Sequence, residues 1–414
     1  MDKFIQFHTL TSYSGVLLNR DDAGFAKTLP FGNATRTRIS SQCLKYHWRS
    51  YDGEDAIRYA GDTEDLDMSV RSRLIFKELI ARPLIAEGYP APLVRAATIA
   101  IREKVLNGKK VSKTAVKNAI EANPKEDDVW ENIRTGQVVV FGRPEIRAMK
   151  KFVRQQLEEA KEKHPVFFSR NEPSGNEPSK GDIQDVADVL RSFSSDLKKT
   201  LKALEYAAGL DAAMFGRMVT SDILSRGDAA VHVAHAITTH AQQREDDYFT
   251  ATDQLQDADV GGTEAGAGHV NTKQLTSGIF YSYVVIDVPL LVSNIEGVSR
   301  SEWEKADHTI TEEVVRRFTK MLVTAPVGAK RGSTAGYASA DYLMVESGAQ
   351  QPRTLANAFQ KAVDADMQKS IDALETYRAG NSQMLGEAPE ALVATSQQTQ
   401  LTPHTIEEVA SAVA

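Results

Sequence analysis

Six cations stand within residues 18–49, LNRDDAGFAKTLPFGNATRTRISSQCLKYHWR: Arg20, Lys27, Arg36, Arg38, Lys45 and Arg49. Their type and spacing suit the holding of an anion. Across the first fifty residues seven Lys or Arg face three Asp, a net of +4; the whole chain carries −7, which leaves about −11 for the remainder. A concentrated positive patch on an acidic chain reads as local anion binding rather than indiscriminate coating of nucleic acid. Alternation over 35–39 puts Arg36 and Arg38 on one face of an extended backbone and Thr35, Thr37 and Ile39 on the other. Ser40 or Ser41 supplies an N-cap, Gln42 falls in the first turn, and no breaker follows before Gly53, so a helix is expected over 40–50. On it Lys45 and Arg49 project on the side of Ser41, while Leu44 and Trp48 form the stripe for burial. Backbone N–H groups at a helix start, a hydroxyl and two cations fit phosphate. The spread from Arg20 to Arg49 fits a chain of phosphates better than a single one. Charge runs alone more often mark a solvated basic face, so the pattern leaves both readings open.

The elements that must position these groups come next. Residues 4–11 read as a first strand, in which His8 is a core or sheet histidine. Gly24, Pro30, Gly32 and Asn33 mark 19–34 as a loop, which would seat Arg20 and Lys27 on flexible supports. Residues 51–205 read as mainly helical, with helical spacing over 70–86 and 93–106, a short strand at 137–141, and helices over 144–163 and 182–208. Residues 164–181 read as loop or disorder. Lys104, Lys109, Lys110, Lys113 and Lys117 form a second basic cluster, either an exposed helix end or a secondary contact to DNA phosphates. Residues 214–219 are expected to return to the sheet, and a Met beside an Arg there, Met218 beside Arg217, either fills the core or wedges against a base.

Further along, His232, His235 and His240, with Asp246 and Asp247, invite a metal reading. Packing and capping explain such spacing more often, and no metal or cofactor is expected. Residues 241–277 read as a long protruding loop, 278–292 as a β stretch, 300–322 as an amphipathic helix, 341–346 as a strand and 353–377 as helical. Lys330 and Arg331 fall in a loop able to meet RNA or a neighbouring subunit. From 380 the chain is rich in small and polar residues and reads as a partly disordered tail.

At 414 residues, 42% apolar and 25% charged, the chain has room for two or three domains and a sizeable core. Cys43 is the only cysteine, which excludes an intrachain disulfide and a cysteine-based zinc or iron–sulfur site. The longest apolar runs are too short to span a bilayer, and MDKFIQFHTL has no signal-peptide core, so the expected location is cytoplasmic.

LNRDD followed by TRTRISSQCLKYHWR resembles the opening signature of the backbone subunit of the type I-E CRISPR surveillance complex Cascade, the CasC family. FGRMVTSD at 215–222, VHVAHAITTHAQQREDDYFTATDQLQD at 231–257 and HVNTKQLTSGIFYSYVVID at 269–287 match in the same order. AKRGSTAGYASADYLMVE at 329–346 and RTLANAFQKAV at 353–363 continue the likeness, which covers the first fifty residues and most of 210–365.

The resemblance implies an α+β fold: an RRM-like (ferredoxin-like) palm from 1–50, 206–240 and 277–379, helical fingers at 51–205, a thumb loop or hairpin at 241–276, and a tail at 380–414. It implies a crRNA-binding subunit that repeats head to tail in antiviral defence, beside other Cascade subunits. The guide's backbone is held, and its bases are left to pair with target DNA. The implied RNA-binding residues are Arg20, Lys27, Arg38, Ser40, Gln42, Lys45, Arg49, Arg217, Met218, Phe249, Thr250 and Val270, with none catalytic. Related CRISPR subunits that cut RNA supply a rival, a metal-dependent ribonuclease using Asp21 and Asp22 or Asp246 and Asp247. Paired carboxylates in a polar loop are weak support for two-metal chemistry. A protein-only filament without RNA is a third reading.

Overall fold

β1 (Phe4–Val16) is buried on both faces from Ile5 to Leu10, as befits a strand in the middle of a covered sheet. The computed structural model describes residues 1–61, 68–108, 111–122, 133–168, 179–192, 196–202, 209–217, 227–243, 245–251, 269–387 and 389–414. They form two units, one of 1–60, 231–289 and 308–414, the other of 61–230 and 290–307. After β1 the expected loop over 19–34 instead contains β2 (Thr28–Phe31), which pairs antiparallel with β3 (Ala34–Ile39). The turn residues are those of a hairpin: Gly32 has φ +61°, and a Cβ there would lie 1.6 Å from the Gln360 carbonyl oxygen. Helix α1 (Ser41–Ser50) follows as expected, with Leu44 and Trp48 buried.

The second unit is mainly helical. Its two short strands, β4 (Val70–Ser72) and β5 (Val139–Phe141), pair antiparallel. Its helices include α2 (Ala91–Asn107), α3 (Lys113–Glu121), α4 (Arg143–Lys163), α5 (Lys180–Arg191) and α6 (Leu210–Phe215), with a short helix Asp196–Lys202 before the last. α2 ends at Gly108, left-handed at φ +63°, and α5 starts in a capping box of Ser179 and Asp182. Val94, Ala97, Ile101, Val153 and Leu157 lie in one buried cluster. Two expectations are corrected. Residues 70–86 are not one helix: β4 is followed by a π-type turn (Phe76–Ala81) and a short helix (Arg82–Ala86) with Pro83 in its first turn. Of the return to the sheet expected at 214–219, residues 214 and 215 instead close α6, which buries Leu210, Ala212, Met214 and Phe215. Arg217 makes an isolated antiparallel bridge to Gly227, and 218 and 219 lie outside the described residues.

The chain re-enters the first unit with β6 (Val231–Val233), β7 (Ala236–Thr238), β8 (Glu245–Ala251) and β9 (His269–Asp287). The expected β stretch at 278–292 starts earlier and stops at Asp287, because Pro289 opens α7 (Val288–Glu296). The helix expected over 300–322 splits into a 3₁₀ stretch (Arg300–Lys305) and α8 (Thr309–Thr324), then α9 (Arg331–Thr334) and β10 (Ala340–Gly348). The helix expected over 353–377 becomes a 3₁₀ turn (Ala356–Phe359) and α10 (Met367–Leu385), which begins where the Asp366 side chain accepts the Lys369 amide.

The looseness expected from residue 380 is also corrected. β11 (Ala391–Thr395) extends the sheet beside β10, β12 (Pro403–His404) follows, and α11 (Ile406–Val413) starts in a Thr405–Glu408 capping box and buries Val409, Ala410 and Val413. The fold is α+β around a mixed sheet of order β12-β11-β10-β1-β9-β7-β3-β2, with β6 and β8 also on β9. Among the described residues only β11 and β12 pair in parallel. One face packs on α1 and α8, where Phe7 and Trp48 meet Phe318 edge-on at 6.2 and 5.4 Å. The other face carries Leu10, Tyr281 and Tyr342 in a cluster with Ile371 and Leu374 of α10. Among the described residues no helix is long and apolar enough to cross a membrane.

Candidate nucleic-acid interface

Helix α1 begins where Ser40, still extended at φ −70° and ψ 148°, accepts the Cys43 amide on its hydroxyl at 3.3 Å. Its own amide donates to Asn19 Oδ1 at 2.9 Å, which ties the LNRDD segment to the helix start. Ser40 itself is buried. With Leu44 and Trp48 turned into the core, Gln42 and Tyr46 are exposed, and Ser41, Lys45 and Arg49 are half-buried.

The 19–27 segment is a built loop rather than a slack one. The Lys27 amide donates to the Asn19 carbonyl at 2.9 Å, and the Arg38 amide donates to the Lys27 carbonyl at 2.8 Å. Arg20 and Ala26 form a β-bridge, and the Ala26 amide donates to Gln274 Oε1 of β9 at 2.8 Å. Asp21 Oδ1 accepts the amides of Ala23 and Phe25 at 3.0 and 2.9 Å, so this carboxylate shapes the loop. Gln274 stands opposite Asp246 in the β8–β9 ladder. Arg20, Lys27 and Arg38 therefore gather beside the root of that ladder, next to the start of α1.

Arg38 Nη1 lies 3.0 Å from His235 Nδ1, and its Nε donates to the Thr28 carbonyl at 3.4 Å. A guanidinium can only donate, so Nδ1 must accept and the imidazole is neutral. Burial, and then the charges of Arg38 and Lys27, hold the His235 pKa below its ordinary value. Burial pushes the Cys43 thiol pKa up, against the charge of Lys27.

Arg36 departs from the anion patch. It is fully buried; Nη1 donates to the Thr238 and Thr239 carbonyls at 3.2 and 2.7 Å, Nη2 to Phe359 at 2.6 Å and Nε to Phe31 at 3.4 Å. Alternation aligns Arg36 with Arg38 along the strand, but the neighbouring turns cover one and leave the other half-exposed. Strand periodicity carries no information on that covering.

A third segment joins the helix from far along the chain. The Gly328 amide donates to His47 Nε2 at 3.2 Å, and the Ala329 amide to the Leu17 carbonyl at 2.8 Å. Burial, then the charge of Arg331, lowers the His47 pKa. Lys330 and Arg331 thus stand by α1. No local spacing brings 17, 47 and 328 together, so sequence reasoning left these two cations in an unplaced loop.

Arg217 is corrected. It lies in the second unit with its side chain fully buried, Nη1 donating to Glu145 Oε2 at 2.6 Å. Desolvation raises the Glu145 pKa against the pull of Arg217. The guanidinium is a core partner of the α4 N-terminus, not a surface phosphate contact. Met218 lies outside the described residues. Phe249, Thr250 and Val270 fall on the β8–β9 pair, Thr250 directly opposite Val270 and Phe249 opposite Asn271. His240 Nδ1 donates to the Ala241 carbonyl at 2.8 Å, and its Nε2 accepts the Ile279 amide at 3.1 Å. Among the described residues no group of three or more His, Cys, Asp or Glu is placed to hold a metal ion. Lys109 and Lys110 of the second basic cluster lie outside the described residues; Lys113 pairs with Asp188 at 3.0 Å.

The model of the CT1975-like protein family matches residues 5–413. A chain of a solved CRISPR RNA-guided surveillance complex (pre-nicking) is 25% identical at a TM-score of 0.69, with 99% of each chain covered. A chain of another CRISPR RNA-guided surveillance complex is 22% identical at a TM-score of 0.58, again over 99% of each chain, a likeness of fold. No curated protein matches the chain.

Proposed function

The chain belongs to the CT1975-like protein family, and on that premise we propose that it is the crRNA-binding, repeating backbone subunit of a CRISPR RNA-guided surveillance complex of the Cascade type. The observation that carries this reading is that the 19–27 loop, β3 and α1, which bear Arg20, Lys27, Arg38, Lys45 and Arg49, are tied together by hydrogen bonds beside the β8–β9 ladder. Such a surface grips a phosphate chain without reading its bases. The bases stay open for pairing, so sequence choice belongs to the guide and target DNA is reached through it. The role is holding and presenting; no bond is made or broken.

The order β10-β1-β9-β7, with α1 after β1 and α8 after β9, supports an RRM-like palm of the split βαβ kind. The helical unit inserted between α1 and β6 answers to the fingers, and the β8–β9 pair to the thumb. On this reading Thr250, Val270 and Phe249 ride on the thumb over the guide, Met218 wedges against a base, and further copies follow head to tail beside other subunits.

The test is the salt dependence of guide binding. Lys45→Ala with Arg49→Ala removes two phosphate contacts, so the slope of log affinity against log salt should fall by roughly 1.4. Short RNAs with varied spacers and constant repeat-derived ends should accompany the wild-type protein purified with its partners. An unchanged slope and heterogeneous co-purified RNA would overturn the reading.

A further inference from the structure

Exposed aromatic rings are unevenly placed in the first unit. Of the four large aromatic side chains most exposed among the described residues, three stand on the segments that carry the cations: Phe25, Tyr46 and Tyr337, at 53, 58 and 69%. Scattered single apolar residues on a surface need no explanation. Two of these three share one corner. The Tyr46 ring meets His47 edge-on, centroids 5.4 Å apart at 77°. His47 accepts the Gly328 amide, which fixes the 328–337 segment against α1. The Arg331 guanidinium, held by the Pro326 carbonyl at 3.2 Å, lies 6.0 Å from the Tyr337 ring centroid.

The backbone of this corner has an uncommon shape. Lys330 and Ala335, at φ +54° and +44°, are the non-glycine residues with positive φ among those described, and they bracket α9. The result is two exposed tyrosine rings and a planar guanidinium on two segments joined through His47, beside cations suited to phosphate. A phosphate grip needs no aromatic ring. An unpaired base does: every base has a π-face, and it stacks on Tyr or on guanidinium whatever its identity.

We propose that Tyr46 and Tyr337, with Arg331 beside the Tyr337 ring, form a stacking platform for unpaired RNA bases. This deepens the RNA-binding reading above and rests on it. The phosphate cations then set the strength of binding, and the platform fixes where along the strand bases are turned toward the protein.

The experiment compares two fluorescein-labelled probes on the full chain, a single-stranded RNA and an abasic ribose-phosphate strand of equal length. Wild type should bind the base-bearing strand more tightly. Tyr46→Ser with Tyr337→Ser should lower that affinity by at least about fivefold, leaving the abasic affinity and the salt slope unchanged. Tyr46→Phe with Tyr337→Phe should keep the preference. Arg331→Lys, which retains the charge and loses the plane, should weaken it without touching the slope, and serves as a second variant should the serine pair not fold. Equal wild-type binding to both strands, or a serine pair that keeps its preference, overturns the platform alone. Binding to neither strand overturns the RNA reading itself.

Discussion

Arg36 and Arg38 stand two residues apart on one strand and do different work. Arg38 lies half-exposed beside His235, whereas Arg36 ties the β2–β3 hairpin to the end of β7 and to the 3₁₀ turn at Ala356–Phe359 through four carbonyls. Burial pushes the Arg36 pKa down, yet an arginine keeps its proton, and the converging carbonyl dipoles offset the buried charge. Removing the guanidinium leaves those acceptors unpaired in a cavity. Arg36→Ala should therefore cost roughly 3–5 kcal/mol, seen as a lower urea midpoint at unchanged m. Arg38→Ala should cost little stability and should weaken RNA binding. A stability loss at Arg38 equal to that at Arg36 would refute the division of labour. Arg217 teaches the same lesson: its motif is plain in the sequence, while its burial against Glu145 depends on helix α4, seventy residues upstream in the chain.

At the scale of elements, α1 was legible because all its signals are local: a cap at Ser40, an apolar stripe of Leu44 and Trp48, and nothing to break the turns between them. The alternation over 35–39 likewise made β3 legible, but β2 was not, because Pro30, Gly32 and Asn33 mark a turn equally well inside a loop or between strands. What decides is the Gln360 carbonyl that receives the Asn33 amide at 3.2 Å, a contact from more than three hundred residues away. The tail was misread for a related reason: its composition is polar, but Val393, Val409 and Val413 fall where β10 and α8 need covering.

Three histidines sit at the joints of these elements. The pKa values of His47, His235 and His240 are all lowered from the ordinary 6.5, each chiefly by burial. Above 6.5 neither the folded nor the unfolded chain protonates them, and their contribution is complete. As pH falls through 6.5 the unfolded chain takes up protons that the folded one refuses. Stability therefore declines toward the lowered folded values, each unit of depression being worth about 1.4 kcal/mol at the acid end. The thermal midpoint should drop between about pH 7.5 and about pH 5.5, and His240→Gln, which can still accept the Ile279 amide but does not titrate, should flatten that drop. An identical drop in the variant would remove His240 from the account.

Across the whole molecule the net charge is −7 while the first fifty residues carry +4. Copies of so acidic a chain repel one another at low salt unless something polyanionic engages the basic end of each. The proposed function makes RNA that agent: one strand threads successive basic ends, and each thumb reaches toward the next copy. Assembly should then be linked to RNA and not to protein contacts alone. Full-length protein with a guide-length RNA should sediment as a multi-subunit particle, and ribonuclease in high salt should collapse it toward single chains. The two treatments act on different parts of the same link, because salt weakens the phosphate grip and nuclease cuts the thread. Salt alone should loosen the particle gradually, and nuclease at low salt should trim only RNA that the subunits leave uncovered. A particle that survives both together would be a protein filament, and the cations of the 19–27 loop, β3 and α1 would then be a solvated face.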